Sequence, residues 1–434
     1  MRHLGYTNST ADPDLWMKKE LKPKYKGTVK DAGDCESSSV DGGTKRKRRR
    51  EEREADDSHK YYYSYILCYV DDILCIHHDP LPVLAKLDKY FQFKPGSVGD
   101  PDFYLGSKLK MMEMANGTKC WAASPSKYVQ EAVSNVESYV KKLDDQQWRL
   151  PNQAPNPFVM GCEPELDTTP ELGPDLAAFY LSQIGVLRWI VEIGRIDITT
   201  EVSMLSSHVA MPREGHLEAL LHVFAHIKQK HNSRLAFDPT YPTIDGRKFK
   251  KYDWAEQYYG AKEPIPLDAP EALGKAVDLR LYVDSDHAGE KLTRRSRTGW
   301  LIYMQSALIV FHSKRQSTVE TSVFGAEFCA MKSGIEALRG VRYKLRMMGV
   351  PLTGPSYIFG DNMSVIHNTQ RPESTLKKKS CSVAYHFCRE AVAMDECRTC
   401  HIPTAKNPAD LCTKVLYGGK RRILVKSILY DIYD

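Results

Sequence analysis

The chain has 434 residues, enough for two or three domains with cores of their own, and 42% hydrophobic with 27% charged residues is ordinary for a globular protein. Its apolar runs, such as Ser306 to Phe311, fall far short of the roughly 18 residues a spanning helix needs, and Met1-Arg2-His3 lacks a signal-peptide core, so no membrane partner is expected. A formal charge of +6 admits a polyanionic partner without requiring one, and 11 cysteines in no disulfide-framework spacing suit a reducing intracellular compartment, cytoplasm or nucleus.

Along the chain, the first discontinuity is a polar insert over about 26–60. It holds Ser37 to Ser39, Gly42-Gly43, the basic run Lys45 to Arg50, and then Glu51, Glu52, Glu54, Asp56 and Asp57. Such a block cannot bury enough apolar area to offset its chain entropy, which predicts a disordered loop. The run 45–50 reads as a weak nuclear localisation signal, a nucleic-acid contact, or a solvated stretch neutralised by the acids that follow. Next comes Tyr61 to Ile76, two strand-like runs around Asp71-Asp72, which predicts a hairpin. Adjacent carboxylates at its tip suggest a metal pair or a basic neighbour, with a plain polar turn as the alternative.

Between Met111 and Asp278 the sequence carries little chemistry. Ile196 to Lys228 reads as helices, with His216, Leu217, Leu220, Leu221, Phe224 and Ile227 forming an amphipathic stripe suited to core packing. The Tyr-, Pro- and charge-rich stretch 241–270 reads as a linker.

The last third predicts strands near 280–283, 299–304 and 307–312, a helix over 322–348 and a strand over 356–360. It continues with a helix after Asp361, a helix over 383–394, a strand over 398–402 and a terminal helix from about Pro408. Asp284 ends the apolar run Leu281 to Val283, Glu327 lies in the long helix, Asp361 follows Tyr357 to Phe359, and Asp410 lies just past Pro408. Phosphodiester hydrolysis by two divalent ions roughly 3.5–4 Å apart needs such carboxylates, and an all-oxygen set without a His and Cys cluster favours Mg²⁺ over zinc. Cys397-Arg398-Thr399-Cys400-His401 has the spacing of a haem-attachment site and of half a zinc site. It lacks a second pair for zinc, and it reads as a strand running into Pro403.

These residues carry a resemblance. Tyr69-Val70-Asp71-Asp72 resembles the palm motif of reverse transcriptases, and its surroundings resemble the copia-type retrotransposon polyprotein. The matches include Leu4-Gly5-Tyr6, Ala11 to Asp14, Tyr104-Leu105-Gly106, Leu187-Arg188-Trp189 and Arg195 to Ile198. Asp284 to Gly289, Arg297 to Trp300, Gly325-Ala326-Glu327, Gly360-Asp361-Asn362 and Asn407 to Asp410 resemble the family's ribonuclease H domain. The resemblance implies an α/β chain in three parts. An α+β palm remnant over 1–110 would carry the insert, a thumb- and connection-like helical region would span 111–270, and a ribonuclease H-like mixed five-stranded sheet with flanking helices would occupy 271–434.

The resemblance also implies roles. Asp284 would bridge two Mg²⁺ ions, Glu327 and Asp361 would hold one, Asp410 would complete the other, and Asp286 would be a supporting or alternative ligand. Asp71 and Asp72 would be metal ligands of the palm. A third palm aspartate expected upstream of the hairpin has no counterpart among the few dozen residues that precede the insert, so polymerase activity is expected to be lost. The RNA–DNA hybrid is the expected partner, read through phosphates and 2′-hydroxyls, with Arg294, Arg295, Arg297, Lys314, Arg315 and Lys378 in the run 377–379 as candidate contacts. His386 reads either as a helix residue near the site or as a packed histidine. Three functions stay open: a hybrid-cleaving nuclease, a nucleic-acid-binding remnant that does not cleave, and a fragment that lends its hairpin to the upstream polymerase part of the element.

Overall fold

The computed structural model describes residues 1–25, 58–143, 147–376 and 378–434. Most of the polar insert, including the basic run 45–50, lies outside the described residues, as does Lys377. Contacts between Cα atoms gather the chain into two compact units. One comprises 1–100, 264–277 and 339–353; the other comprises 101–263, 278–338 and 354–434.

In the first unit, β1 (Thr7–Ser9), β2 (Asp12–Leu21), β3 (Tyr61–Tyr69) and β4 (Asp72–Ile76) form an antiparallel sheet in that order. The alternating pattern of β3 buries Ser64 and Ile66, and Ile66 packs with Tyr6 and with Leu87 of α1 (Leu81–Phe91). The expected hairpin forms, with Tyr69 opposite Asp72 and the turn made at Val70 and Asp71. Val70 takes a left-handed φ of 51°, a strained choice for a β-branched residue.

The second unit opens with β5 (Phe103–Tyr104), β6 (Ser107–Glu113) and β7 (Lys119–Ser124), followed by α2 (Ser126–Lys142), α3 (Pro174–Glu192), α4 (Thr199–Leu205) and α5 (Glu214–Gln229). β8 (Arg234–Ala236) pairs with β7, and α6 (Ala255–Tyr258) is a single turn. The expected stripe of α5 is buried, Leu217, Leu220, Leu221, Phe224 and Ile227 meeting Val133, Val136 and Leu187. The helical stretch divides before Glu214 because Pro212 cannot continue a helix and disfavours helical backbone at Met211.

The rest of this unit is a mixed α/β layer: β9 (Leu279–Ser285), β10 (Arg297–Met304), β11 (Ala307–Arg315), α7 (Val323–Met347, to residue 338 in this unit), β12 (Ser356–Gly360), α8 (Met363–Gln370), α9 (Ser382–Ala393) and β13 (Cys397–His401). The sheet order is β11-β10-β9-β12-β13, antiparallel through the first three strands and parallel from β9 to β12 and β13. Cys397 and Cys400 are buried in β13, as the strand reading requires.

One expectation is corrected. Pro408–Cys412 is a tight 3-10 turn, and the terminal helix α10 (Gly418–Lys426) begins later, ahead of β14 (Leu429–Tyr430). Side chains hold the turn instead of helix propagation. Asn407 Oδ1 accepts from Ala409 N at 3.2 Å, its amide donates to Val283 O at 2.9 Å, and Cys412 and Thr413 sit on β10 at Gly299. A Cβ at Gly299 would stand 2.6 Å from Thr413 Cγ2 and 2.7 Å from Cys412 Cβ, so only glycine permits the approach.

Candidate active site

Backbone register brings the first two carboxylates together. β12 runs parallel to β9 with Tyr357 opposite Arg280 and Phe359 opposite Tyr282. Continuing that register by two residues sets Asp361, just past the end of β12, level with Asp284 near the end of β9. Glu327 arrives from α7, two turns before Gly334, where the helix lies so close to β9 that a Cβ would be 3.0 Å from Leu281 and Val283 side chains. Residues seven apart share a helix face, so the contact that seats Gly334 on the sheet also turns Glu327 toward it. Asp284, Glu327 and Asp361 each offer a carboxylate oxygen within 4.8 Å of the others, Asp284 and Glu327 being buried and Asp361 half-buried.

Their electrostatics follow from this crowding. Burial pushes the Asp284 carboxyl up to about 7, with Asp410 and Asp361 adding to the rise and Lys414 opposing it. Burial likewise holds Glu327 well above the usual carboxylate range, reinforced by Asp284 and Asp361. Buried acids that repel one another are stabilised by a cation, and an all-oxygen trio suits a hard divalent one.

Asp410, expected to complete a second metal site, has two lysine partners. Fully buried in the 408–412 turn, it accepts from Lys414 Nζ at 2.5 Å and also from Lys420 Nζ. Lys414 reaches Asp284 as well, at 3.0 Å, and Thr413 Oγ1 donates to Asp284. An ammonium group therefore bridges Asp284 and Asp410, and the close group of ligand atoms comprises Asp284, Glu327 and Asp361. Asp286 also stands apart, its carboxylate accepting from the backbone N of Arg297. Lys414 carries no motif of its own, although its spacing of four from Asp410 is that of a local ion pair. Lys420, Thr413 and Asn407 likewise escaped as functional candidates.

A cavity of about 330 Å³, bordered by Asp286, Arg295, Arg297, Arg315, Thr413 and Lys414, reaches the site through Thr413 and Lys414, although none of the trio lines it. The candidate nucleic-acid contacts divide here. Arg294, Lys314 and Lys378 are exposed, while Arg295 and Arg315 are half-buried. Arg315 lies 3.7 Å from Glu290. Arg297 borders the same cavity but is buried, and its Nη1 donates to Ser203 Oγ at 2.6 Å and Ser313 Oγ at 3.4 Å, linking α4 to β11. His386 is exposed on α9 with its ring edge-on to Tyr385.

Chemistry also appears where the sequence seemed bare. Arg195 grips Asp197 through two bonds of 2.7 and 2.9 Å, His226 Nε2 lies 3.6 Å from Asp197, and Arg421 of α10 donates to Asp197 O and lies 3.5 Å from Glu201. All five are buried, and burial lifts Glu201 to about 6. This network ties α4 and α5 to the helix that supplies Lys420.

In the first unit, Asp71 and Asp72 are exposed at the hairpin tip. Among the described residues no group of three or more possible metal ligands includes either of them.

No family model matches the chain. It is 25% identical over 353 residues to the retrovirus-related Pol polyprotein from transposon RE1 of Arabidopsis thaliana, covering 81% of this chain and 20% of that protein. It is 24% identical over 367 residues to the counterpart from transposon TNT 1-94 of Nicotiana tabacum, covering 82% and 24%. The chain thus spans about a fifth to a quarter of the length of these relatives. Similar solved structures include RNase H1 from Halobacterium salinarum NRC-1, at 16% identity and TM-score 0.26 over 31% of this chain and 94% of that one. Another is LC11-RNase H1 in complex with an RNA/DNA hybrid, at 18% identity and TM-score 0.26, with the same coverage. No helix among the described residues is long and apolar enough to cross a membrane.

Proposed function

We propose, for a chain whose homologues are retrovirus-related Pol polyproteins of copia-type transposons, that it is a reverse transcriptase and ribonuclease H fragment that hydrolyses the RNA strand of RNA–DNA hybrids. The observation that supports this best is the convergence of Asp284, Glu327 and Asp361 at one end of the mixed sheet, two of them buried with raised carboxyl pKa values. Magnesium fits this donor set, and when bound it supplies an activated water and charge stabilisation of the leaving oxygen. The trio suits one such ion. A second would have to compete with the Lys414 ammonium for Asp284 and Asp410.

The protein's own groups do the rest. Thr413 and Lys414 hold Asp284 in one orientation, and Lys420 does the same for Asp410. The cavity beside them offers Arg295 and Arg315 to a phosphate backbone, and exposed Arg294, Lys314 and Lys378 add positive charge on the surface. In this reading 1–110 is a palm remnant, 111–270 a thumb and connection region, and 271–434 the nuclease. Asp71 and Asp72, exposed and without a third carboxylate gathered to them among the described residues, do not support nucleotide incorporation by this chain alone. Purified protein given a primed template and dNTPs should extend nothing; extension would overturn that part of the reading.

The decisive experiment is Asp361→Asn, which should abolish Mg²⁺-dependent cleavage of the RNA strand while leaving the circular-dichroism spectrum unchanged. Retained cleavage would refute the site. A second reading, a module that binds hybrids without cleaving them, is favoured by the two lysines that occupy Asp410. It predicts wild-type protein that binds hybrid in Mg²⁺ yet leaves the RNA intact.

A further inference from the structure

A second cluster of ligating side chains lies in the first unit, at the end of the β3–β4 hairpin away from Asp71 and Asp72. Strand register assembles it. Glu20 of β2 lies opposite Tyr62 of β3, and β4, antiparallel to β3 with Ile76 opposite Tyr65, continues into His77 and His78 on the other side of Tyr62. Glu20, His77 and His78 each offer a ligand atom within 4.8 Å of the others. The His77 side chain is only 7% exposed and that of Glu20 15%, whereas His78 opens to solvent.

The hydrogen bonds of this cluster leave room for a cation between its ligand atoms. His77 Nδ1 lies 2.6 Å from Asp79 O and also accepts from Asp79 N at 2.9 Å, so the backbone admits either ring tautomer. Nε2 lies 2.7 Å from Glu20 Oε2: in the Nε2–H tautomer it donates to that carboxylate, and in the Nδ1–H tautomer it presents a lone pair that a cation shared with Glu20 would satisfy. A histidine whose far nitrogen donates to a carbonyl while its near nitrogen faces outward is the arrangement that orients metal-binding imidazoles. Tyr62 stands over the same point, its hydroxyl 2.5 Å from His78 Nδ1 and 3.3 Å from Glu20 Oε2.

We propose that Glu20, His77 and His78 form a binding site for a borderline divalent transition metal, zinc being the expected occupant, that staples β2 to the β3–β4 hairpin. Two imidazoles and one carboxylate are the donors of a tetrahedral ion with one open position, and the exposed side of His78 leaves that position to water or to the Tyr62 hydroxyl. The nitrogen donors set this site apart from the all-oxygen trio at Asp284, which prefers the harder magnesium. The competing arrangement is a metal-free ion pair in which His77 and Lys18, the latter 3.1 Å from Glu20 Oε1, share the carboxylate.

Zinc titration of the full, chelator-treated chain by calorimetry, in excess Mg²⁺ so that the oxygen site is filled, distinguishes the two. Wild-type protein and Asp361→Asn should each take up one zinc ion, and zinc should raise the melting temperature. His77→Ala, His78→Ala and Glu20→Gln should each weaken that uptake by at least about tenfold and lose the thermal shift. Because His78 is exposed, His78→Ala should fold as wild type does and carries the test even if Glu20→Gln unfolds. Absence of zinc uptake by the wild type under these conditions would overturn the proposal, as would uptake that is the same in the variants, since that would assign the ion to other ligands such as the chain's thiols.

Discussion

The hairpin acids and the sheet acids use the same residue type to opposite ends. Asp71 and Asp72 are neighbours in sequence, so a turn brings them together at once, and both remain exposed in water. Asp284 and Asp361 are far apart in sequence, meet only because β9 and β12 pair in a definite register, and are joined there by a helix residue. Solvent relieves the first pair of any need for a counter-charge. Burial denies the second set that relief and raises its carboxyl pKa values, a cost of ionisation that a bound cation would offset. Adjacency of acids in a sequence is therefore weak evidence for a metal site, whereas convergence under burial is strong evidence.

The largest effect that would test this contrast is catalytic. Asp284→Asn should lower hybrid cleavage by at least about a hundredfold, the scale of losing a metal ligand or more, while Asp72→Asn should leave the rate within about twofold. Equal sensitivity of the two positions in a single-turnover cleavage assay would erase the distinction.

Next comes the ammonium bridge. Lys414→Met leaves Asp284 and Asp410 facing each other with one cation fewer; because the lysine itself is partly exposed, the cost should be about 1–3 kcal/mol, below that of breaking a fully buried pair. Chemical denaturation without metal should show a loss of that order, and Mg²⁺ should recover much of it by filling the vacated place. Recovery absent at saturating Mg²⁺ would mean that the lysine's position is closed to a second ion.

A pH series sharpens the same point. The folded Asp284 carboxyl titrates near 7, above the roughly 3.9 of an unfolded aspartate. Between those values the folded chain keeps a proton that the unfolded chain has released, so stability falls as pH rises from about 4 to about 7. One such group gives a slope of roughly 1 kcal/mol per pH unit, with Glu327 adding in the same direction. Saturating Mg²⁺ should flatten the slope, since the ion takes the place of the proton. Two guanidinium series, with and without Mg²⁺, that run parallel across this range would rule out metal at these acids.

Gly299→Ala has a smaller expected cost, about 1–3 kcal/mol, because the new methyl must displace Cys412 and Thr413 from β10. The position also shows how far the sequence could be read. Strand and helix periods placed β9 to β13 and α7 to within a few residues, since apolar alternation and the 3.6-residue stripe are local properties of the chain. The acids of the trio were legible because each ends or flanks such an element. Gly299, Asn407, Arg195 and Asp197 were legible only as members of matching segments, and Thr413, Lys414 and Arg421 not at all, because their roles arise from contacts between segments distant in sequence. Asp410 was legible as an acid just past Pro408, but its lysine partners were not.

The smallest effect separates the surface cations from the buried one. Lys378 is exposed and Arg297 is buried on Ser203 and Ser313, although both read from sequence as phosphate contacts. Removing a phosphate-contacting lysine reduces the salt dependence of binding by about one in the log–log slope while leaving stability alone. Lys378→Ala should therefore lower hybrid affinity modestly at low salt, with no change in melting temperature. Arg297→Ala should do the reverse, lowering the melting temperature while preserving the salt slope of whatever protein stays folded. Fluorescence anisotropy with a labelled hybrid at several salt concentrations reads the first quantity, and thermal melts read the second. If Arg297→Ala flattened the salt slope at unchanged stability, its guanidinium would have to leave the two serines on binding, and the division between bracing and contacting cations would fail at that residue.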